Sequence, residues 1–71
     1  MKEVRLEYPE ELGPVEFELR VQVGDEVRAG DVIAEVSTEK ATQELEAYEG
    51  MRIHAITRTA RGYVLTVEEM E

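Results

Sequence analysis

The chain has no cysteine and no tryptophan, and its 71 residues include only two lysines, Lys2 and Lys40. The absence of cysteine excludes disulfides, thiolate catalysis and cysteine-based zinc sites. No run approaches the roughly 18 apolar residues that a membrane-spanning helix needs, and the first residues, MKEVRLEYPEE, lack the apolar core of a signal peptide. The sequence therefore predicts one cytoplasmic domain over residues 1–71, without a membrane partner.

Basic residues are scarce, with 8 Lys and Arg against 17 Asp and Glu and a net charge of −9. A surface of this charge repels phosphates, so we do not expect the chain to bind nucleic acid. His54 is the only histidine, and without a second ligand type at suitable spacing we expect no metal site. No residue pattern indicates a catalytic group, and we do not expect an enzyme.

Alternating apolar and polar residues are the clearest structural signal. VEFELRVQV, residues 15–23, alternates strictly, which predicts a strand with one buried and one wet face. Residues 4–8 alternate in the same way, and the β-branched run at 31–36 predicts a buried strand. Two further strands are predicted at residues 52–59 and 63–67.

Two Gly-Asp pairs, Gly24-Asp25 and Gly30-Asp31, lie close together after the first alternating stretch. Glycine adopts backbone angles that other residues resist, and aspartate accepts hydrogen bonds within its own turn. The segment therefore predicts two tight bends on either side of a very short strand at Val27.

The stretch that follows allows two interpretations. Ser37 could cap a helix over residues 38–49, in which Ala41 and Leu45 fall at helical spacing. The alternative is a β-hairpin whose turn is residues 37–40. Local propensity narrowly favours the helix, which would make the chain a small α+β binding domain.

Residues 23–41 read VGDEVRAGDVIAEVSTEKA. This segment resembles the pattern V-G-D-x-V-x-x-G-D-x-[LI]-x-E-[VI]-[ED]-T-D-K-A of the biotinyl/lipoyl attachment family, and most closely the lipoyl domains of 2-oxo acid dehydrogenase complexes. Two glycines, two aspartates, the threonine and the lysine all fall at the expected separations. The resemblance implies an all-β fold, a flattened antiparallel β-barrel of two small sheets known as a barrel-sandwich hybrid, which overrides the local helix propensity.

The resemblance also implies a function. Lys40 is expected on a hairpin turn as the site of covalent lipoylation, so that the chain carries acyl groups between partner enzymes. The residues expected to shape its surroundings are Thr38, Glu39 and Ala41 in the turn, and Gly24 and Gly30 in an adjacent loop. Lipoate is the implied cofactor, because the biotin-carrying relatives resemble Met-Lys-Met at this point, whereas Glu39 and Ala41 flank the lysine here. The implied partners are a lipoate ligase or lipoyl transferase, a decarboxylase component and a dihydrolipoyl dehydrogenase.

Three features depart from the family pattern. Ser37 stands where lipoyl domains usually have a glutamate that assists the modifying enzyme, and Gly50 comes one residue earlier after the lysine than usual. The C-terminal part, TRTARGYVLTVEE, leaves little room for a second glycine bend and the strand that follows it. A lipoyl-like interaction module that is not acylated is therefore the alternative function. A lost strand would leave an unpaired sheet edge, from which we also expect a homodimer as a hypothesis.

Overall fold

A computed structural model describes residues 1–9, 11, 13 and 15–70. This part of the chain contains no α-helix, and its strands are distributed from Lys2 to Glu69. The strands are β1 (Lys2–Glu7), β2 (Glu16–Leu19), β3 (Glu26–Val27), β4 (Val32–Ser37), β5 (Thr42–Glu46), β6 (Met51–Thr59) and β7 (Gly62–Glu69). The all-β prediction is confirmed, and the helix considered for residues 38–49 is not formed.

The strands form two antiparallel sheets. The four-stranded sheet has the order β1-β7-β6-β3, and the three-stranded sheet has the order β2-β4-β5. Their facing sides enclose the core, in agreement with the lipoyl-type barrel-sandwich that the sequence predicted. The buried core cluster consists of Leu6, Val21, Val27, Ile33, Ala34, Ala47, Met51, Ile53, Leu65 and Val67.

The alternation predicted for residues 15–23 ends earlier than expected. β2 stops at Leu19, and the amide of Arg20 donates a last bond to the Ile33 carbonyl at 2.9 Å. Val21 remains in the core, but Val23 is 61% exposed because the chain turns away from the sheet there. The apolar–polar alternation therefore continues beyond β2 into residues 20–23, which do not belong to a strand.

The two predicted Gly-Asp bends are confirmed. In the first, the Asp25 amide donates to the Gln22 carbonyl at 3.1 Å, and the Gln22 amide donates to the Asp25 carboxylate at 2.9 Å. Gly24 takes a φ of +99°, which few L-residues adopt. Residues Arg28–Asp31 repeat this arrangement with distances of 3.0 and 2.8 Å. The short strand β3 lies between the bends and pairs with the start of β6.

The second half of the chain repeats the first with one strand fewer in the described residues. β5, β6 and β7 hold the same positions in their sheets as β1, β2 and β4, in the same chain order. In the first half, the segment between β2 and β4 contains both bends and β3. In the second half, a tight turn at Ala60 and Arg61 joins β6 directly to β7. The predicted loss of a strand is therefore confirmed. β6 is paired with β3 on its outer side, whereas the equivalent strand β2 has no described strand on its outer side.

Gly62 provides a test of this packing, because it begins β7 against the backbone of β1. Its φ is +148°, and a Cβ at this position would collide with the Leu6 carbonyl. We expect Gly62→Ala to lower the free energy of unfolding by about 3 kcal/mol or more, from backbone strain and displacement of β1. Urea denaturation measures this loss.

Gly24→Ala is the matched control, since its φ is also positive but a Cβ there meets no atom within 4 Å. We expect it to cost only the strain, about 1 kcal/mol. Equal losses in the two variants would contradict the close approach of β7 to β1.

Candidate functional site

The β4–β5 hairpin carries Lys40 at its tip. Ser37 and Thr42 form the last pair of the two strands, and beyond them the Thr38 amide donates to the Ala41 carbonyl at 2.8 Å. Glu39 and Lys40 are left as the two exposed central residues of the turn. No described non-glycine residue has a positive φ, so this turn holds both side chains without backbone strain.

The hydroxyl of Thr38 fixes the turn from inside. It accepts hydrogen bonds from the amides of Lys40 and Ala41, each at 3.3 Å, and lies 3.3 Å from the Ala41 carbonyl, to which it can donate. Threonine hydroxyls make such local bonds to the backbone two or three residues ahead. One step down the hairpin, the hydroxyls of Ser37 and Thr42 lie 3.2 Å apart across the strands. The turn is therefore tied by its own residues.

The two lysines differ in their surroundings. The Nζ of Lys2 lies 3.0 Å from Glu49 Oε2, 2.9 Å from Glu69 Oε1 and 5.0 Å from the centroid of the Tyr48 ring. Hydrogen bonding to Tyr48, and then to the two glutamates, raises the pKa of Lys2 above its ordinary value. Lys40 is exposed, and its Nζ has no hydrogen bond or ion pair to any described residue. Lys40 is thus the more accessible amine.

Gly24 and Gly30 do not lie beside the lysine turn, which corrects their expected placement. The Gly30 amide donates to the Ala47 carbonyl at 2.8 Å, at the end of the hairpin opposite to Lys40. The Gly24 amide donates to the Ile53 carbonyl, also at 2.8 Å, on the other sheet. The six residues of β4 carry the chain about 20 Å from this end to the turn. The glycines therefore fix the start of the hairpin.

Glu16 is a residue near the turn that the sequence did not single out for this position. It is the register partner of Ser37, and with Val15, Thr38 and Glu39 these residues line a shallow depression beside the turn. The alternating pattern placed Glu16 on a wet strand face, but the pairing of β2 with β4 is not encoded in any local signal. The depression places two carboxylate residues on the approach to Lys40.

Neither a metal centre nor a membrane-crossing helix is found in the described residues. No three acidic, histidine or cysteine side chains there come together as a metal site. His54 instead faces Glu68, with Nε2 and Oε1 3.3 Å apart on an exposed surface. No helix in this part of the chain is long and apolar enough to span a bilayer.

The structure thus has two small antiparallel sheets and an exposed lysine at a hairpin tip, as the resemblance to carriers of a covalently bound group implies. The sequence model of the Biotin_lipoyl family, described as "Biotin-requiring enzyme", matches residues 9–70. The chain therefore belongs to the biotin/lipoyl attachment family, whose members carry covalently attached biotin or lipoate. Neither the curated proteins nor the solved structures compared with the chain gave a match.

Thr38 allows a direct test of the turn. We expect Thr38→Val to remove the bonds to the amides of Lys40 and Ala41, so that both amides exchange faster with deuterium. The free energy of unfolding should fall by about 1 kcal/mol. Thr38→Ser retains the hydroxyl and should exchange nearly as slowly as the unchanged protein. Equal exchange rates in the two variants would show that the hydroxyl does not hold the turn.

The different surroundings of the lysines predict selective acylation. Only a neutral amine reacts with an acetylating ester, and the raised pKa of Lys2 keeps it protonated to higher pH than an unpaired lysine. At about pH 8 we expect acetylation of Lys40 to run several-fold ahead of Lys2. Peptide mass spectrometry over a time course measures both rates.

The control variant Glu49→Gln, Glu69→Gln removes two carboxylate partners of Lys2 and leaves the turn intact. It should speed the acetylation of Lys2 alone. Equal rates for the two lysines in the unchanged protein would contradict the difference in accessibility.

Proposed function

We propose that the chain is a lipoyl carrier domain in which Lys40 is the attachment residue. The observation that carries the proposal is the exposed Nζ of Lys40, which has no partner among the described residues, at the tip of a locally tied hairpin. Membership of the biotin/lipoyl attachment family supports it, because carrier members need a lysine that another protein can reach. The chain itself then performs no catalysis.

The position of Lys40 suits acylation by a separate enzyme. A lysine ammonium at neutral pH is a poor nucleophile, so a ligase has to remove its proton and bring an activated acyl group to it. A protruding turn can enter the ligase active site, and the local bonds of Thr38 keep the backbone of that turn in one conformation. The amide removes the positive charge and converts the side chain into a tether. Lipoate, when attached, supplies the acyl and electron transfer chemistry.

The flanking residues favour lipoate over biotin as the attached group. The biotin-carrying relatives resemble Met-Lys-Met, whereas Glu39 and Ala41 stand on either side of Lys40 here. An acidic residue before the lysine and a small one after it are typical of lipoyl domains. The depression lined by Glu16 and Glu39 adds carboxylates that a basic ligase surface can contact.

The partners proposed for such a carrier are a lipoate ligase or lipoyl transferase, which loads Lys40, and the decarboxylase and dihydrolipoyl dehydrogenase components of a 2-oxo acid dehydrogenase complex. A cytoplasmic location stays a prediction from the sequence. A homodimer also stays one, although the net charge of −9 opposes the pairing of two copies. The alternative function, a lipoyl-like interaction module without the attached group, is favoured by one observation. Ser37 offers a hydroxyl, already paired with Thr42, where the family resemblance expects a carboxylate.

Co-expression with a lipoate ligase, followed by intact mass spectrometry, tests the proposal. We expect one added lipoyl group on the unchanged protein and on Lys2→Arg, and none on Lys40→Arg. Repeating the experiment with a biotin ligase and biotin should leave the mass unchanged.

Ser37→Glu separates the two functions. A carrier should be modified with or without this change, at a higher rate with it. No modification of the unchanged protein, under conditions that fully load a known lipoyl domain, would overturn the carrier proposal in favour of the interaction module.

A further inference from the structure

β2 has a free edge in the described part of the chain. In the four-stranded sheet the equivalent strand, β6, is covered by β3, with Glu26 opposite Arg52 and Val27 opposite Met51. The three-stranded sheet ends at β2. Among the residues that the structure describes, none therefore fills beside β2 the place that β3 fills beside β6.

The backbone groups at this edge can be assigned from the pairing of β2 with β4. The Arg20 amide donates to the Ile33 carbonyl, and hydrogen bonding alternates along an antiparallel strand. Glu16 and Glu18 therefore face β4 with their backbone groups, whereas Phe17 and Leu19 direct their N–H and C=O groups outward. No described residue outside the sheet bonds to these outward groups. Such an edge is a template for another strand.

The outer face beside this edge is strongly acidic. Glu18 lies directly opposite Glu35, which lies directly opposite Glu44 on the third strand. Arg20 contacts only part of this row, at 3.5 Å from Glu18 and 3.0 Å from Glu35. The carboxylates on this face are Glu16, Glu18, Glu35, Glu44 and Glu46. Like charges directly opposite each other weaken a sheet, so this arrangement is costly for the isolated chain.

The inner side of the same edge is aromatic. Phe17 lies between Tyr8 and Tyr63, with ring centroids 6.4 and 5.5 Å away. These three side chains help to line a small hollow of about 150 Å³ between the sheets. A strand placed beside β2 would point alternate side chains to this aromatic side and to the acidic outer face.

We propose that the free edge of β2 is a docking site for an extended basic segment of a partner protein. The segment adds as an antiparallel strand, bonds to the backbone of Phe17 and Leu19, and places Lys or Arg side chains next to Glu16 and Glu18. Its alternate residues are apolar and face Phe17. Main-chain hydrogen bonds supply affinity in this mode of recognition, and alternate side chains supply specificity.

A second copy of the chain fits this edge less well. Two antiparallel β2 strands would bring Glu16 and Glu18 of one copy beside the same residues of the other. Each copy also carries a net charge of −9. The repulsion between these glutamates and the repulsion between the two net charges oppose self-pairing and favour a basic partner. The docking site does not depend on lipoylation, so its test is independent of the function proposed for Lys40.

The test uses a fluorescein-labelled octapeptide of alternating Lys and Val, with binding measured by fluorescence anisotropy. We expect Glu16→Lys, Glu18→Lys to weaken binding about tenfold or more. The matched control is Glu44→Lys, Glu46→Lys, which makes the same charge change at the opposite edge of the sheet. A peptide N-methylated on alternate residues keeps its charge but cannot donate to the edge, and should not bind.

Hydrogen exchange locates the bound strand. The proposal predicts that the peptide slows exchange of the Phe17 and Leu19 amides and leaves the outward amides of β5 unchanged. Equal loss of binding in both charge variants, binding of the N-methylated peptide, or unchanged Phe17 and Leu19 amides would overturn it. Protection of these two amides by raised protein concentration alone would assign the edge to a second copy, and would also overturn it.

Discussion

The pairing of β4 with β5 is the constraint on which the site depends. β4 contributes Ile33 and Ala34 to the core, pairs with β2 on one side and β5 on the other, and ends at the turn of Lys40. A register shift between Val32 and Ala34 lets two successive residues of β4 be buried. Because the core fixes β4, the tip of the hairpin has a defined position in solvent, which a lysine on a mobile loop would not have.

The same strand explains what the sequence could and could not predict. The strands with alternating residues and the two Gly-Asp bends were recognisable, because their signals are local. The helix propensity of residues 38–49 was misleading, since pairs such as Val36 with Gln43 decide the conformation through the sheet. The expected proximity of Gly30 to Lys40 was also wrong. A motif gives the number of residues between two positions, and because the intervening strand β4 is extended, the two residues lie far apart in space. The position of Glu16 beside the turn depends on strand pairing, which the sequence does not show locally.

Most of the charge on the chain is acidic, and only two of its basic residues are lysines. The acidic surface discourages contact between copies and with phosphates, while the two lysines have different surroundings. Lys2 joins the start of β1 to Glu49 and Glu69, so its amine is occupied in the fold. Lys40 has no such contact among the described residues. The carrier proposal and the proposed docking edge are connected in this way: the first supplies a partner with a group to modify, and the second supplies an acidic surface to recognise.

The central claim is that a rigid turn holds a free amine in water, and backbone ¹⁵N relaxation tests it most directly. We expect order parameters for Glu39 and Lys40 close to those of the strands, about 0.8 or higher, with no helical chemical shifts nearby. Values below about 0.6 at the tip, or a helical signature over residues 38–49, would contradict the account.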